Sequence, residues 1–230
     1  MSEFQKLLTD VKNALERTAE PRHHAHGAPV IVPMTEVARR AELGSKFVRE
    51  LQAVGGQVIE VGSEIEAVEK IVELALRIGV RSAVSAEPIT EELTAVDAEL
   101  QKHGMTVIRT DPVSRDDFAQ MRARLARADL GIVEADYAIA ATGTIAQIAT
   151  ASRPRLASLL PPASVIVMHV DRIVPDLAAL VRTVGPERIS ENPMVLITGP
   201  SRTADIEKRI VLGVHGPKDL YVILIWPKDE

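Results

Sequence analysis

Short runs of β-branched and aliphatic residues recur along the chain, at QVIEV (57–61), RSAVS (81–85), MTVIR (105–109), LGIVEA (130–135), SVIVMHV (164–170), PMVLITG (193–199) and LYVILI (220–225). Most are separated by ten or more residues in which the apolar positions fall at helical spacing. A tight turn can join only antiparallel neighbours, whereas a helical crossover starts the next strand in the same direction. The pattern therefore predicts an α/β protein, with a mainly parallel sheet and helices over both faces. Helices are expected in TEVARRAELGSKFVRELQAV (35–54), in SEIEAVEKIVELALRIG (63–79), from about Thr90 to His103, from about Asp116 to Ala128, from Pro175 onward, and in TADIEKRIVLG (203–213). Ser63 with Glu66 matches a capping box. In DYAIAATGTIAQIAT (136–150), small and β-branched residues flank a Thr-Gly-Thr turn, which predicts a hairpin of two short strands.

A helical stripe of Leu7, Leu8, Val11 and Leu15 precedes the proline- and histidine-rich EPRHHAHGAPVIVP (20–33). The expected organisation is a helical arm and linker over residues 1–29 and one domain over 30–230. No h-region of a signal peptide and no long apolar span is visible, so a soluble, cytoplasmic protein without membrane insertion is expected. The chain of 230 residues has no cysteine, so it offers no thiolate to a zinc ion or an iron–sulfur cluster. Its 32 acidic and 27 basic side chains give a net charge of -5, which disfavours nucleic acid as a partner. Aromatic residues make up only 3%, too few for a platform on which bases could stack.

Gly-x-Gly-x-x-Gly, Walker, HExxH and Gly-x-Ser-x-Gly motifs are all absent. Three stretches could carry chemistry. ITGPSRTADIE (197–207) would end a strand at the carboxyl edge of the sheet and begin a helix whose free N–H groups, with Ser201, Thr203 and Arg202, could hold an anion. The same residues also make an ordinary turn and N-cap. Glu134 and Asp136, at a strand end, could divide acid and base roles or simply form a solvated terminus. His215, in the Gly/Pro turn VHGP (214–217), could move a proton or serve the turn alone. The His23, His24 and His26 tract matches no closed metal site and is taken as polar linker; no metal and no cofactor is assigned to the chain.

ADYAIAATGT (135–144), RLASLLP (155–161), IVP (173–175), GPSRTADIE (199–207) and LGVHGP (212–217), in this order, resemble the LUD domain, in particular the lactate utilization protein C family. The resemblance covers roughly residues 30–226. It implies a three-layer α/β/α fold similar to the sugar-phosphate isomerase, CoA-transferase and formyltetrahydrofolate cyclo-ligase superfold. It also implies a subunit that serves the oxidation of L-lactate to pyruvate beside an iron–sulfur partner subunit and a third subunit. The matched motifs group Thr142, Gly143, Thr144, Arg155, Ser158, Gly199, Ser201, Arg202, Thr203 and Asp205 as ligand-binding residues for a small carboxylate or phosphorylated molecule, with Glu134, Asp136 and His215 as catalytic candidates. Ala141 stands where family members usually carry an acidic residue, so no mechanism can use a carboxylate there. Two other readings stand beside this one: a stand-alone transferase- or ligase-type enzyme with Glu134 or Asp136 as nucleophile or base, and a ligand-free scaffold or regulatory subunit.

Overall fold

The computed structural model describes residues 35–88, 90–110, 118–204, 210–212 and 216–226. The expected arm over 1–29, with its His23, His24 and His26, lies outside them, as do Asp205 and His215. α1 (Glu36–Ala53) is capped by Thr35, whose hydroxyl accepts from Ala38 N at 3.2 Å, and it ends before β1 (Gln57–Val61). α2 (Glu64–Arg77) has the expected cap: Glu66 N donates to Ser63 Oγ at 3.2 Å, while the Glu66 carboxylate reaches back to Gly62 N at 2.8 Å. There follow β2 (Ser82–Ser85), α3 (Ala95–Lys102), β3 (Thr106–Arg109), α4 (Phe118–Leu125) and β4 (Leu130–Glu134). β5 (Tyr137–Ile139) and β6 (Thr144–Ile148) form the expected hairpin. Then come α5 (Leu156–Leu159), β7 (Ala163–His169), β8 (Ile173–Val174), α6 (Leu177–Val184), α7 (Pro186–Glu191), β9 (Met194–Ile197), β10 (Arg202–Ala204), β11 (Ile210–Leu212) and β12 (Asp219–Ile225).

Six strands in the order β1-β12-β7-β4-β2-β3 make one sheet in which every pair is parallel. Its residues alternate cleanly between two cores. Val165, Val167, Tyr221, Ile223 and Ile225 pack under α2 and α3. Ile166, Met168, Leu220, Val222 and Leu224 pack on the other side against Phe47 and Leu51 of α1 and against Ala138 and Ile145 of the hairpin. This is the two-sided burial that a parallel sheet requires. A four-stranded sheet, β8-β5-β6-β9, joins the second layer, and Leu180 and Val184 of α6 cover its far face. No helix among the described residues is long and apolar enough to cross a membrane.

Three expectations are corrected. The described ends of the expected 203–213 helix are strands: Arg202–Ala204 pairs antiparallel with Ile210–Leu212 in a two-stranded ribbon. Thr203, Ile210 and Val211 are β-branched, and in a strand their χ1 restriction costs nothing. The strand at Met194–Ile197 joins the small sheet, antiparallel to β6, instead of the parallel one. The helix expected from Pro175 begins at Leu177, because Asp176 takes the cap position and accepts from Ala179 N at 2.7 Å.

Two features of the parallel sheet yield measurable consequences. At Gly131 in β4 an added Cβ would lie 2.1 Å from the Ala157 carbonyl oxygen, so α5 sits against bare backbone. Gly131→Ala should cost about 1–3 kcal/mol, read as a lower urea midpoint at unchanged m. At the start of β4, Asp129 accepts from Arg81 N and Ser82 N, both at 2.9 Å, and from Ser82 Oγ at 3.2 Å. Burial pushes this carboxyl up, but the backbone donors of Arg81 and Ser82, the Ser82 hydroxyl and the Arg81 charge outweigh it and hold the pKa below the ordinary value. A depressed folded pKa gives stability that is present above the unfolded value, about 3.9, and is lost as pH falls through the folded one. Asp129→Ala should therefore destabilise the protein at neutral pH, and the gap to the wild type should narrow below about pH 4 in urea titrations.

Candidate functional site

The candidate residues fall into two groups. β5 and β6 run antiparallel with Ile139 opposite Thr144 and Tyr137 opposite Ala146, so the Thr-Gly-Thr turn and Asp136 lie at opposite ends of the hairpin. Four residues of strand separate Thr144 from Ile148, whose N–H donates to Asp136, which is a span of about 13 Å. One lactate- or phosphate-sized molecule cannot bridge that distance.

At the turn end, three hydroxyls form a relay. Thr144 Oγ1, nearly buried, lies 2.7 Å from Thr142 Oγ1 and 2.7 Å from Thr198 Oγ1, and Thr142 and Thr198 are exposed. Three hydroxyls own three protons, and two internal bonds use two of them. One donor is thus left over, and it stands at exposed Thr142 or Thr198 in both orientations in which Thr144 donates to a neighbour. Gly143 (φ 61°) and Gly199 (φ 87°) adopt backbone conformations that side chains resist. A Cβ on Gly143 would meet Leu51 N at 2.2 Å, and one on Gly199 would meet Val54 O at 3.0 Å, so the end of α1 packs on both turns. Ser201 N donates to Pro217 O at 2.8 Å, and Ser201 Cβ is 3.4 Å from the position of a Cβ on Gly216. Ser201 therefore meets Gly216 and Pro217.

The meeting point corrects the expected location. Pro217 stands two residues before β12, which begins at Asp219, and α1 ends at Ala53, shortly before the chain enters β1 at Gln57. The group Thr142, Gly143, Thr144, Gly199 and Ser201 accordingly lies toward the amino edge of the parallel sheet, away from its carboxyl edge. Among the described residues Ser201 leads directly into strand β10, to which Arg202 and Thr203 belong, and not into a helix N-terminus.

Glu134 and Asp136 occupy the carboxyl end. Chain connections leave β2 and β4 in opposite directions across the sheet, which makes the crevice between them the topological switch point. Buried Glu134 sits there. Its carboxylate accepts from Arg172 Nη1 at 2.8 Å, Thr90 N at 3.0 Å and Thr90 Oγ1 at 3.3 Å. The adjoining cavity, lined by Ser85, Pro88, Val133, Glu134 and Val167, measures ≈ 10 Å³, room for a water molecule and no more. Asp136, also buried, accepts from Ile148 N at 2.8 Å, from Arg153 at 3.3 Å and from Arg188 Nη2 at 3.4 Å. Buried Ser158 donates to Gln147 Oε1 at 2.6 Å, and Arg155, exposed at the N-cap of α5, is in neither group by any hydrogen bond described.

Sequence reasoning missed Thr198, Arg172, Arg153, Arg188 and Thr90. Thr198 had a visible signal, its place just before a Gly-Pro turn in the quoted motif. The arginines had none, since each pairs across 17 or more residues of chain. Among the described residues no group of three or more His, Cys, Asp or Glu side chains could hold a metal ion.

Asp136→Asn would leave Arg153, only 12% exposed, without its countercharge. A loss of about 3–5 kcal/mol in unfolding free energy is expected. An unchanged unfolding midpoint would show that the fold does not need this charge.

The LUD domain model matches residues 44–225. YkgG, an uncharacterized protein of Escherichia coli (strain K12), is 30% identical over 229 residues, which is 95% of this chain and 96% of YkgG. A lactate utilization protein C of Exiguobacterium sp. (strain ATCC BAA-1283 / AT1b) is 41% identical over 106 residues, 43% of this chain and 45% of that protein. Another, from Deinococcus radiodurans, is 36% identical over 123 residues, 53% of this chain and 55% of the relative. The chain thus aligns with about half the length of these two lactate utilization proteins. The crystal structure of a DUF162 family protein from Deinococcus radiodurans superposes with a TM-score of 0.60 at 25% identity, covering 84% of this chain and 100% of that one. With the LUD model matched over most of the chain and YkgG aligned almost end to end, this protein belongs to the LUD-domain family.

Proposed function

We propose that this chain is a subunit of a lactate-utilisation system, serving the oxidation of L-lactate to pyruvate beside an iron–sulfur partner subunit, and that it binds a small carboxylate or phosphorylated ligand. The observation that carries the role is the LUD match over 44–225 together with relatives named lactate utilization protein C. A cysteine-free chain supports a division of labour in which any cluster is held by the partner.

The ligand is assigned to the hydroxyl group at the turn end of the hairpin. Three features support that choice over the carboxyl edge. The relay Thr142–Thr144–Thr198 keeps one unspent donor, carried by exposed Thr142 or Thr198 when Thr144 donates within it. Gly143 and Gly199 bring backbone close to the same place without side chains in the way. The cavity beside Glu134, by contrast, measures ≈ 10 Å³, too small for a lactate-sized molecule. Ser201 stands beside the Gly199 turn, and Arg202, Thr203, Asp205 and His215 remain candidates on the motifs GPSRTADIE and LGVHGP alone. Arg155 and Ser158, tied to α5 and β6, fall outside it. Glu134 and Asp136, engaged by arginines and by backbone or hydroxyl donors, are assigned to holding the hairpin, and no turnover by the isolated chain is required of them.

Calorimetric titration of the purified chain with L-lactate, pyruvate and inorganic phosphate should give saturable binding of at least one of them, weakened about tenfold or more in Thr144→Val, which removes one or two hydrogen bonds. No binding of any of the three at millimolar concentration overturns the ligand assignment. In the host cell, deletion of the coding sequence should abolish growth on L-lactate as sole carbon source, and reintroduction should restore it. Normal growth of the deletion strain overturns the role.

A further inference from the structure

On the face of the parallel sheet opposite the hairpin, α2 and α3 pack on each other over the core and leave their outer sides apart. Between them runs a groove of ≈ 590 Å³. Its apolar lining comes from Ile65, Val68, Val72, Leu76 and Ala95. Val68 and Val72 are buried and belong to the core beneath, whereas Ile65 is 71% and Leu76 50% exposed. An Ile and a Leu left this far in water, on the same helix face and flanking an apolar floor, mark an interaction surface and not the scatter of single exposed apolar residues found on any protein.

The polar lining has one sign. Glu69, Glu73, Glu92 and Glu99 line the groove with His103, and no Lys or Arg does. Glu73 and Glu99 hold Lys70 and Lys102 at 2.7 Å and 2.6 Å, but both cations stand outside the lining. The carboxylates act together: the Lys70 ammonium is raised above its ordinary pKa first by its hydrogen bond to Glu73, then by the Glu73 charge and those of Glu66 and Glu69. From Ile65 to Leu76 the exposed stripe extends about 16 Å, three turns of helix. An elongated apolar trough with acidic rims is the complement of an amphipathic helix whose apolar face is bordered by cations.

We propose that the groove between α2 and α3 is a docking site for a lysine- or arginine-flanked amphipathic helix of a partner protein. The floor takes apolar anchors at i, i+3 or i+4 and i+7, and the rim glutamates orient the helix and exclude acidic competitors. The site is independent of the hydroxyl relay, so its failure would leave the lactate-utilisation role standing, and the reverse holds as well.

The test is a fluorescence-anisotropy titration of the full chain with a labelled synthetic peptide of about 14 residues carrying leucines at that spacing and lysines on both flanks. A second peptide has glutamate in place of every lysine. The lysine peptide should bind the wild type about tenfold or more tightly than it binds the Ile65→Ser, Leu76→Ser double variant, and the glutamate peptide should be weaker by a similar factor. Glu69→Gln with Glu92→Gln should weaken the lysine peptide and flatten its salt dependence. Equal binding of the two peptides, or of wild type and Ile65→Ser, Leu76→Ser, overturns the proposal. If that double variant does not fold by circular dichroism, the Glu69→Gln, Glu92→Gln pair decides, and unchanged affinity overturns it. Light scattering that shows a wild-type dimer converted to monomer by either variant also overturns it, because the occupant is then a second copy of this chain.

Discussion

The position of α1 is set by backbone contacts that leave no slack, and the two sheets keep their arrangement through it. A Cβ at Gly44 would fall 2.3 Å from the Trp226 ring, one at Gly143 2.2 Å from Leu51 N, and one at Gly199 2.9 Å from Val54 Cγ2. Glycines therefore admit the helix next to the end of β12, next to the Thr-Gly-Thr turn and next to the turn after β9. Between those contacts Phe47 and Leu51, both 0% exposed, fill the space shared by the parallel sheet and the hairpin. Because interiors are close-packed, a helix seated this way transmits displacement and cannot absorb it. The hydroxyl relay is consequently held by packing before any ligand arrives, which is the condition under which binding loses least to ordering.

The other end of the hairpin is governed by charge. A buried carboxylate is tolerable only when paired and hydrogen-bonded. Glu134 takes Arg172 and both donors of Thr90, and Asp136 takes Arg153, Arg188 and the Ile148 amide. These partners come from the loops after β2, β6 and β7 and from α7, so two side chains gather four separate segments. The same saturation leaves that end of the hairpin chemically occupied. The two ends thus differ in kind: one has its acceptors committed, the other retains a donor.

Local signals carried the fold well. β-branched runs separated by helical stretches placed all the strands of the parallel sheet, Ser63 and Glu66 placed the start of α2, and Thr-Gly-Thr placed the hairpin turn. What failed was partner choice. Met194–Ile197 is a strand by composition, yet nothing within it says that it pairs antiparallel with β6, because register and neighbour are set by surfaces distant in sequence. Residues 203–213 mix charged and apolar positions at a spacing that suits a helix, and only the pairing of Arg202–Ala204 with Ile210–Leu212 overrides it. That error carried the candidate site to the wrong edge: a strand of the parallel sheet followed by a helix would have pointed its loop at the carboxyl edge, whereas the actual path returns the loop to the residues ahead of β12. The motif residues themselves converge as a group would, Thr144 on Thr198 and Ser201 on Pro217, so their sequence clustering was informative about contact and silent about place.

The parallel sheet also divides the surface. α2 and α3 cover one face, while α1 and the small sheet cover the other, and the alternating residues of β7 and β12 contribute to separate cores on the two sides. The acidic groove and the hydroxyl relay therefore have no shared side chain, and the strands between them are buried across their full thickness. Coupling between such surfaces needs an element with two arrangements that both sites bias. The six parallel strands, tied to one another along their whole length, are the part of the molecule least suited to that role. If both proposals hold, a partner docked at the groove would fix where the chain sits without altering the relay, and assembly and ligand capture would be separable in one fold.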